Sequence, residues 1–513
     1  MSVGVDVLVG QSYYLRFDPT LWDAQRPYAP LGALYAAAFV RAAGHSVALF
    51  DAMLAVSEHE WIEALDRERP AVAVLFEDSF NYLSKMCLLR MRTAALTMID
   101  AAHARGIPIV VAGSDATDHP GLYLTRGATA VLVGEGEVTL VEVVTRLRRG
   151  DVDLAGIDGL IHMREGQLTR TPVRGIMRHL DAVPRPAWDL VDVDRYRAIW
   201  RARHGHFSMN LATTRGCPYH CNWCAKPIYG QRYTARTPAD VADEIAWLRR
   251  TYAPDHLWIT DDIFGLKPGW IQAFADEVVG RGAVTPFKCL MRADNVTPDV
   301  VTALARAGCA TVWIGAESGS QRILDAMEKG TRVDQIDAAA RWLHDAGIEV
   351  GFFLQFGYPG ETRDDIALTL RMLRRCAPDD IGISVSYPLP GTAFHERVRA
   401  QLGPKQNWDD SADLAVMYRA TYGPDFYRVL HGYVHARVRV DRALAVLGLG
   451  PDTSHARGRA ATLAGRGLLA ACRLPFLWWR LRRHARAGGP DRLPDMLPVL
   501  SPQAAALPSE QHH

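Results

Sequence analysis

The chain has 513 residues and a formal net charge of +1, with 49% apolar and 22% charged residues. This balance is typical of a folded soluble protein and excludes a disordered or fibrous one. The length predicts about two to four domains, so an active site can lie between domains. The near-neutral charge gives no global field that favours nucleic acid, and we expect no nucleic-acid partner.

The eight cysteines are too sparse for a disulfide framework in a chain of this length. Three of them fall within the eight consecutive residues CPYHCNWC, which indicates a metal site in a reducing compartment. The sequence begins without the pattern of a secretory signal, and no stretch approaches the roughly 20 apolar residues that span a bilayer. We therefore expect a cytoplasmic protein.

Residues 1–150 alternate short apolar, β-branched runs with helical stretches, which predicts a parallel sheet with crossover helices. Ligands of such sheets bind outside the carboxyl ends of the strands, here after Val9, Phe76, Gly113 and Gly134. A GxGxxG motif does not follow the first strand, so the pattern disfavours a nicotinamide or flavin dinucleotide.

The rest of the chain divides into three parts. Residues 151–205 form a predicted connector with a hairpin at Glu165 and Gly166, whose role we expect to be spacing. Residues 206–400 contain about six β/α units, which fit a partial (β/α)6 barrel of the TIM type with its chemistry at the carboxyl ends of the strands. Residues 401–513 are predicted to be mainly helical, ending in a disordered polar tail.

The cysteine motif follows directly after the first predicted barrel strand. Cys217, Cys221 and Cys224 are separated by three and two residues, so one short loop can bind three corners of an iron-sulfur cubane and leave the fourth iron open. The alternative is a zinc site completed by His220, although adjacent ligands on one loop without a second CxxC pair fit zinc poorly.

This spacing resembles that of the radical S-adenosylmethionine (SAM) superfamily. The resemblance implies a 4Fe-4S cluster whose open iron binds SAM, and an aromatic residue, here Trp223, packed near the adenine. It also implies SAM-binding residues at later strand ends, although a charged residue at a barrel rim is as often part of a structural salt bridge. The matching positions are Asp261 and Asp262 for the methionyl ammonium, Arg292, Glu317 and Ser318 for ribose and carboxylate, and Gly357 and Pro359 for adenine.

The amino-terminal domain resembles the cobalamin-binding domains that are fused to radical SAM barrels. Small residues there suit the close approach of a corrin to the backbone. The positions that carry this resemblance are Pro30, Gly32, Gly113, Ser114, Asp115, Gly134 and Glu135. The Asp-x-His-x-x-Gly motif is missing, so we expect no histidine ligand to cobalt, and His119 is interpreted as a loop residue. The alternative is a Rossmann-like domain without a ligand.

Two features of the carboxyl-terminal region leave alternatives open. Tyr418, Tyr422, Phe426 and Tyr427 either cover a substrate pocket or form a plain core. The segment CRLPFLWWRLRRHAR either contacts a membrane surface or a lipid-like substrate, or forms a solvated basic helix.

The resemblance as a whole implies an enzyme that uses a 4Fe-4S cluster, SAM and cobalamin, and that receives electrons from a donor such as flavodoxin or ferredoxin. Its predicted activity is C-methylation of an unactivated carbon in a small-molecule substrate. The alternatives are an anaerobic oxidative cyclase of the magnesium-protoporphyrin monomethyl ester type and a non-catalytic cobalamin sensor or carrier. The substrate and the oligomeric state are not identified by the sequence.

Overall fold

The structure, a computed structural model, describes residues 4–81, 88–224, 231–405, 407–446 and 460–488. The polar tail that the sequence analysis expects to be disordered lies outside these residues. Short 3-10 helices cover Leu15–Phe17, Ala52–Leu54, Leu180–Ala182, Trp188–Leu190, Ala293–Asn295 and Arg399–Gln401.

The amino-terminal domain is an α/β sandwich around one sheet. Its strands are β1 (Val7–Gly10), β2 (Val47–Leu49), β3 (Val72–Phe76), β4 (Ile109–Ala112), β5 (Ala130–Leu132), β6 (Leu160–Arg164) and β7 (Gln167–Arg170). They pair in the order β2-β1-β3-β4-β5-β6-β7, and the first five are parallel. The expected Rossmann-like sheet is thereby confirmed.

Over the described residues of this domain, seven helices bury the apolar strands between them. They are α1 (Pro19–Ala24), α2 (Leu31–Ala42), α3 (His59–Glu68), α4 (Leu89–His103), α5 (Ser114–Asp118), α6 (Pro120–Thr125) and α7 (Glu137–Arg148).

The predicted hairpin of the connector joins β6 to β7. Its turn residues Glu165 and Gly166 both have positive φ, which matches the right-handed twist of the flanking strands. The hairpin has more than a spacing role, because β6 pairs antiparallel with β5 and extends the sheet. Helix α8 (Val193–His204) then leads into the second domain.

The second domain is the expected partial barrel. In the part of this domain that the structure describes, the parallel strands are β8 (Ser208–Leu211), β11 (His256–Ile259), β12 (Phe287–Met291), β13 (Cys309–Glu317), β14 (Glu349–Phe356) and β15 (Asp380–Val385), and they pair in chain order. A small antiparallel pair, β9 (Thr214–Arg215) and β10 (Thr234–Ala235), flanks the cysteine loop.

The helices of the barrel cover one face of its sheet. They are α9 (Pro238–Tyr252), α10 (Trp270–Gly280), α11 (Pro298–Ala307), α12 (Gln321–Ala326), α13 (Val333–Asp345) and α14 (Arg363–Cys376). The helix-facing side chains, such as Val312, Val350 and Phe352, are fully buried. Alternate residues point to the opposite face, which we call the lumen, where Trp258, Lys288 and Trp313 remain partly exposed.

The carboxyl-terminal region is helical, with α15 (Ala393–Val398), α16 (Pro424–Val446) and α17 (Ala460–Gly488). The four aromatic residues Tyr418, Tyr422, Phe426 and Tyr427 are buried, as in the core alternative. Helix α17 exposes Leu468, Leu469, Phe476 and Trp479. None of the helices, over the residues described, has the length and apolar character needed to cross a membrane.

A segment after α15 ties the carboxyl-terminal region to the first domain. The carbonyl of Trp408 accepts a hydrogen bond from the amide of Leu89 at 2.8 Å. Ser411 donates its amide and its hydroxyl to the carboxylate of Asp18, at 3.0 and 2.9 Å. The carboxyl-terminal segment therefore contacts the first domain at two separate places.

The turn after β13 depends on a glycine that touches α14. A Cβ on Gly319 would lie 2.5 Å from the carbonyl oxygen of Leu368, and its amide donates to Thr369 Oγ1 at 2.9 Å. We expect Gly319→Ala to lower the Tm by several degrees, because the clash is with backbone that cannot move aside. Gly280→Ala, where a Cβ meets open space, is the control and should leave the Tm nearly unchanged in calorimetry.

Candidate active site

The cysteine loop begins where β8 ends, and Asp261 at the end of β11 holds that junction. Its carboxylate accepts hydrogen bonds from the amides of Thr213 (2.7 Å) and Thr214 (3.0 Å) and from the Thr213 hydroxyl. Burial raises the pKa of Asp261 to about 7, against the effect of these bonds. The side chain, only 1% exposed, is thus committed to the protein, and its expected contact with a methionyl ammonium stays a prediction.

The three cysteine residues lie at this edge of the barrel and are neither fully buried nor fully exposed. Burial, then the nearby charge of Asp262 and the other two cysteines, raises the pKa of Cys224 to about 12. Asp262 also raises the pKa of Cys217, after burial, so this carboxylate lies beside both thiols. No three His, Cys, Asp or Glu side chains among the described residues converge on a single metal ion. The donor set nevertheless suits a cluster, since each thiolate would bind a different iron.

Arg292 extends from the end of β12 to the cysteine loop. Its guanidinium lies 3.6 Å from the ring centroid of Tyr219, and Nη1 is 3.9 Å from Cys221 Sγ. Two hydrogen bonds of 3.0 Å to Asp294 fix its orientation. The structure therefore brings Arg292 to the cysteine loop, and its expected contact with the ribose or carboxylate of SAM stays a prediction.

Glu317 forms a buried ion pair with Lys329, which matches the salt-bridge alternative for charged residues at the barrel rim. It lies at a β-bulge in the left-handed region, with φ of 57°, and accepts from Lys329 Nζ at 2.8 Å. Burial disfavours the charged form of Lys329, but the nearby Glu317 and, to a smaller extent, Cys221 raise its pKa. Lys329 Nζ also lies 5.9 Å from the centroid of the Trp223 ring.

Trp223 offers an unused hydrogen-bond donor beside the cysteines. Its buried Nε1 has no acceptor among the described residues. A ligand with an acceptor atom would satisfy this group, which suits the predicted contact with adenine.

The remaining SAM-binding positions differ in accessibility. Ser318 is fully buried, and its hydroxyl accepts from the Ser320 amide (3.1 Å) and bonds with Thr369. Gly357, with φ of 82°, donates to Glu361 at 2.7 Å, while Pro359 is partly exposed. Their contacts with a ligand stay predictions.

Asn222 and Tyr358 link this last segment to the cysteine loop, and the sequence analysis misses both. The Tyr358 hydroxyl donates to Asn222 Oδ1 at 2.9 Å. The Asn222 amide group donates to the carbonyl of Ala326, also at 2.9 Å. Asn222 lies inside the cysteine motif, but its residue type alone gives no signal of this role.

The glycines predicted to approach a corrin serve two different purposes. At Gly134, φ is +82° and a Cβ would meet open space, so this position leaves room for a ligand. At Gly113 a Cβ would lie 2.9 Å from Cγ of Glu77. Gly32, next to the buried Pro30, donates its amide to Asp78 Oδ1 at 3.1 Å. These last contacts hold strand-end loops together within the domain.

The loop after β4 is fixed by Asp115, next to the partly exposed Ser114. Asp115 forms two hydrogen bonds with Arg92 and accepts a third from the Tyr123 hydroxyl. His119 Nε2 lies 3.9 Å from Asp115 Oδ1, and burial lowers the pKa of His119. His119 is therefore a neutral neighbour of this network at pH 7.

Arg215 joins the two domains, and the sequence analysis misses it as well. This residue precedes Cys217 by two positions, yet its Nη2 lies 2.8 Å from Glu137, the first residue of α7. Its Nη1 lies 3.5 Å from Glu135, in the turn after β5. Glu135 also accepts from the Met177 amide at 2.6 Å. Arg215 and Glu137 are only 5% and 2% exposed. The ion pairs thus fix the cysteine loop against the predicted cobalamin edge.

Family comparisons agree with both resemblances. A family model described as the Radical SAM superfamily matches residues 211–373, and one described as the B12 binding domain matches residues 23–144.

Three curated relatives cover about half to three quarters of this chain. An uncharacterized methyltransferase of Pyrococcus horikoshii is 29% identical, over 56% of this chain and 62% of its own length. Anaerobic magnesium-protoporphyrin IX monomethyl ester cyclase of Synechocystis is 26% identical, over 74% of this chain and 75% of its own length. Cytidylyl-2-hydroxyethylphosphonate methyltransferase of Streptomyces wedmorensis is 28% identical, over 55% of each chain. The chain therefore spans less than two thirds of two of these relatives.

Two solved structures share the fold. The radical SAM methyltransferase TsrM of Kitasatospora setae, with cobalamin and a 4Fe-4S cluster bound, has a TM-score of 0.63 at 20% identity and covers 78% of this chain and 76% of its own. The cobalamin-dependent SAM radical enzyme OxsB, with aqua-cobalamin and SAM bound, has a TM-score of 0.67 at 16% identity and covers 93% and 73%. At these identities the likeness concerns the fold.

We expect Cys221→Ala to prevent assembly of an intact cluster, because one iron would lose its only protein thiolate. Anaerobic reconstitution followed by iron analysis should give about four irons in the wild-type protein and far fewer in the variant. The variant should also form no 5'-deoxyadenosine from SAM. Cys472→Ala, at an exposed cysteine remote in sequence, is the control. Full SAM cleavage by Cys221→Ala would refute the cluster assignment.

We expect Arg215→Gln to lower the Tm by about 5 °C or more, because it leaves Glu137 buried without its partner. In the double variant Arg215→Gln, Glu137→Gln the Tm should fall by less than the sum of the decreases in the two single variants, because substitutions of contacting residues are not additive. Arg306→Gln breaks the exposed pair with Asp276 and should change the Tm little. Strict additivity of the two buried substitutions would contradict the interdomain pair.

Proposed function

We propose that this chain, which is a radical SAM enzyme with a B12-binding domain, methylates an unactivated carbon of a small-molecule substrate. Its cofactors are a 4Fe-4S cluster, SAM and cobalamin. When bound, they supply a hydrogen-abstracting radical and a methyl group, while the protein positions the reactants.

The observation that carries the proposal is the Arg215 contact between the domains. It joins the residue two positions before Cys217 to Glu135 and Glu137, which follow β5 at the ligand-binding edge of the first sheet. Ligands of parallel sheets bind at these carboxyl edges. Two cofactor edges held face to face allow one substrate to meet both reactive centres, as methyl transfer to a substrate radical requires.

The residues around the cysteines suit a negatively charged cluster. Arg292 and Lys329 both lie close enough to Cys221 to interact with its charge. A buried cation stabilises a nearby thiolate more strongly than an exposed one does, because the local dielectric constant is lower. Asp294 and Glu317 fix these cations in place by hydrogen bonds.

The carboxyl-terminal segment packs against the loop that follows β15. Trp408 is buried against Tyr387, with ring centroids 4.9 Å apart. Its indole donates to the carbonyl of Ala415 at 2.9 Å, which closes the segment on itself. We infer that this segment helps to shield the edge, since exclusion of water protects a radical from side reactions.

Oxidative ring closure is the second candidate. It is favoured by the Synechocystis cyclase, whose similarity extends over more of this chain than that of either methyltransferase described above. The relatives named as methyltransferases favour methyl transfer. The two candidates differ in the fate of the SAM methyl group, which can be measured.

We expect the anaerobic holoenzyme with reductant and methyl-deuterated SAM to form S-adenosylhomocysteine, because a methyltransferase removes the SAM methyl group. Without substrate this product should stop at about one equivalent per bound cobalamin, as measured by mass spectrometry.

Protein loaded with the cluster but not with cobalamin is the matched control and should form no S-adenosylhomocysteine. If the holoenzyme forms 5'-deoxyadenosine and never S-adenosylhomocysteine, methyl transfer is wrong and ring closure is favoured.

A further inference from the structure

The lumen of the barrel contains a flat aromatic surface built from two rings, which we call the aromatic shelf (Trp313 and Phe353). The rings are stacked with centroids 4.7 Å apart and an interplanar angle of 28°. Phe353 is 40% exposed, although it lies in the middle of β14. An exposed, stacked aromatic pair on the lumen face of the sheet suits a flat ligand.

Glycines on neighbouring strands make the shelf flat. A Cβ on Gly351 would lie 2.4 Å from the Trp313 ring, and a Cβ on Gly382 would lie 3.0 Å from the Phe353 ring. Each ring therefore leans over the bare backbone of the next strand. Any larger residue at Gly351 or Gly382 would lift the ring away from the sheet.

Lys288 lies in the lumen close to the shelf. It is on the lumen face of β12, one layer below Leu290, which is in register with Trp313. Its ammonium lies 4.5 Å from the Trp258 ring centroid and 5.2 Å from that of Tyr28. Within the described part of the chain, no carboxylate lies within ion-pair distance of this ammonium, and Arg26 and Asp380 are its charged neighbours.

The shelf and Lys288 lie below the cysteine loop. Leu290 and Arg292 follow Lys288 on the same face of β12, at about 3.3 Å per residue. Trp313, level with Leu290, is thus about 7 Å and Lys288 about 13 Å below Arg292, which contacts Cys221. Phe353 is in register with Gly315, one layer closer to the cysteine loop. A ligand on the shelf lies next to the chemistry expected at that loop.

We propose that the lumen binds a substrate with a planar aromatic group, stacked on Phe353 and Trp313, and an anionic group, such as a carboxylate or a phosphate, that pairs with Lys288. This inference rests on the proposed function, since it names the substrate class of the same site. Burial lowers the pKa of Lys288 to about 7, and an anion bound beside it would restore its charge.

The test measures binding of 1-naphthoate to the anaerobic, cluster-loaded full-length protein by calorimetry, with 1-naphthamide and cyclohexanecarboxylate as comparison ligands. We expect naphthoate to bind most tightly, because only it combines an aromatic face with a negative charge. Lys288→Met should lower the affinity for naphthoate about tenfold and leave the affinity for naphthamide nearly unchanged. Phe353→Leu should weaken both naphthyl ligands about fivefold and leave cyclohexanecarboxylate unchanged.

Matched controls are Lys267→Met and Phe476→Leu, at an exposed lysine and an exposed aromatic outside the lumen. Equal affinity for the three ligands, no binding of naphthoate, or equal losses in the control variants would overturn the inference. Circular dichroism of each variant excludes unfolding as the cause. The binding assay contains no SAM, so its result is independent of S-adenosylhomocysteine formation. The proposed substrate class can therefore be refuted while methyl transfer is supported, and methyl transfer can be refuted while the substrate class is supported.

Discussion

The buried charge of Arg215 is the constraint on which the rest of the site depends. A guanidinium that is 5% exposed must have counter-charges, because desolvation without a partner would cost several kcal/mol. The first domain supplies them through Glu135 and Glu137, and Arg215 begins the cysteine loop of the second. The barrel therefore cannot position its cysteines without also positioning the turn after β5. One interaction sets the relation between two cofactor edges that belong to separate domains.

The local sequence pattern predicts most of the fold, since apolar β-branched runs and the turn at Glu165 and Gly166 specify strands and a hairpin without reference to distant residues. The pairing of β6 with β5 could not be predicted in this way, because the pattern of one strand does not identify its neighbour. Arg215 escapes it for the same reason, as its partners lie about 80 residues earlier in the chain. Contacts between domains are a property of the assembled surface and leave no local periodicity.

Within the site, the sequence likewise predicts where a residue lies better than it predicts what the side chain binds. The sequence places Asp261, Ser318 and Asp115 at strand ends, and the structure finds them there, but their side chains bond to the protein's own loops. A residue type at a strand end does not reveal whether it faces a ligand or its own backbone. Arg292, by contrast, reaches the cysteine loop, since alternation along β12 directs it into the lumen.

The two cationic side chains of β12 and its end make the two ends of the lumen electrostatically different. Arg292, at the cysteine end, is neutralised by Asp294, whereas Lys288, four residues lower on the same face, has no such carboxylate within the described residues. An anionic ligand would gain more from the deeper cation, because the upper one already has its counter-ion. Its charged end would then lie at the bottom of the lumen, with its ring on the shelf and its remaining carbons toward Cys221. A carbon held there is exposed to the radical chemistry of that edge without bringing the ligand's charge near the cluster.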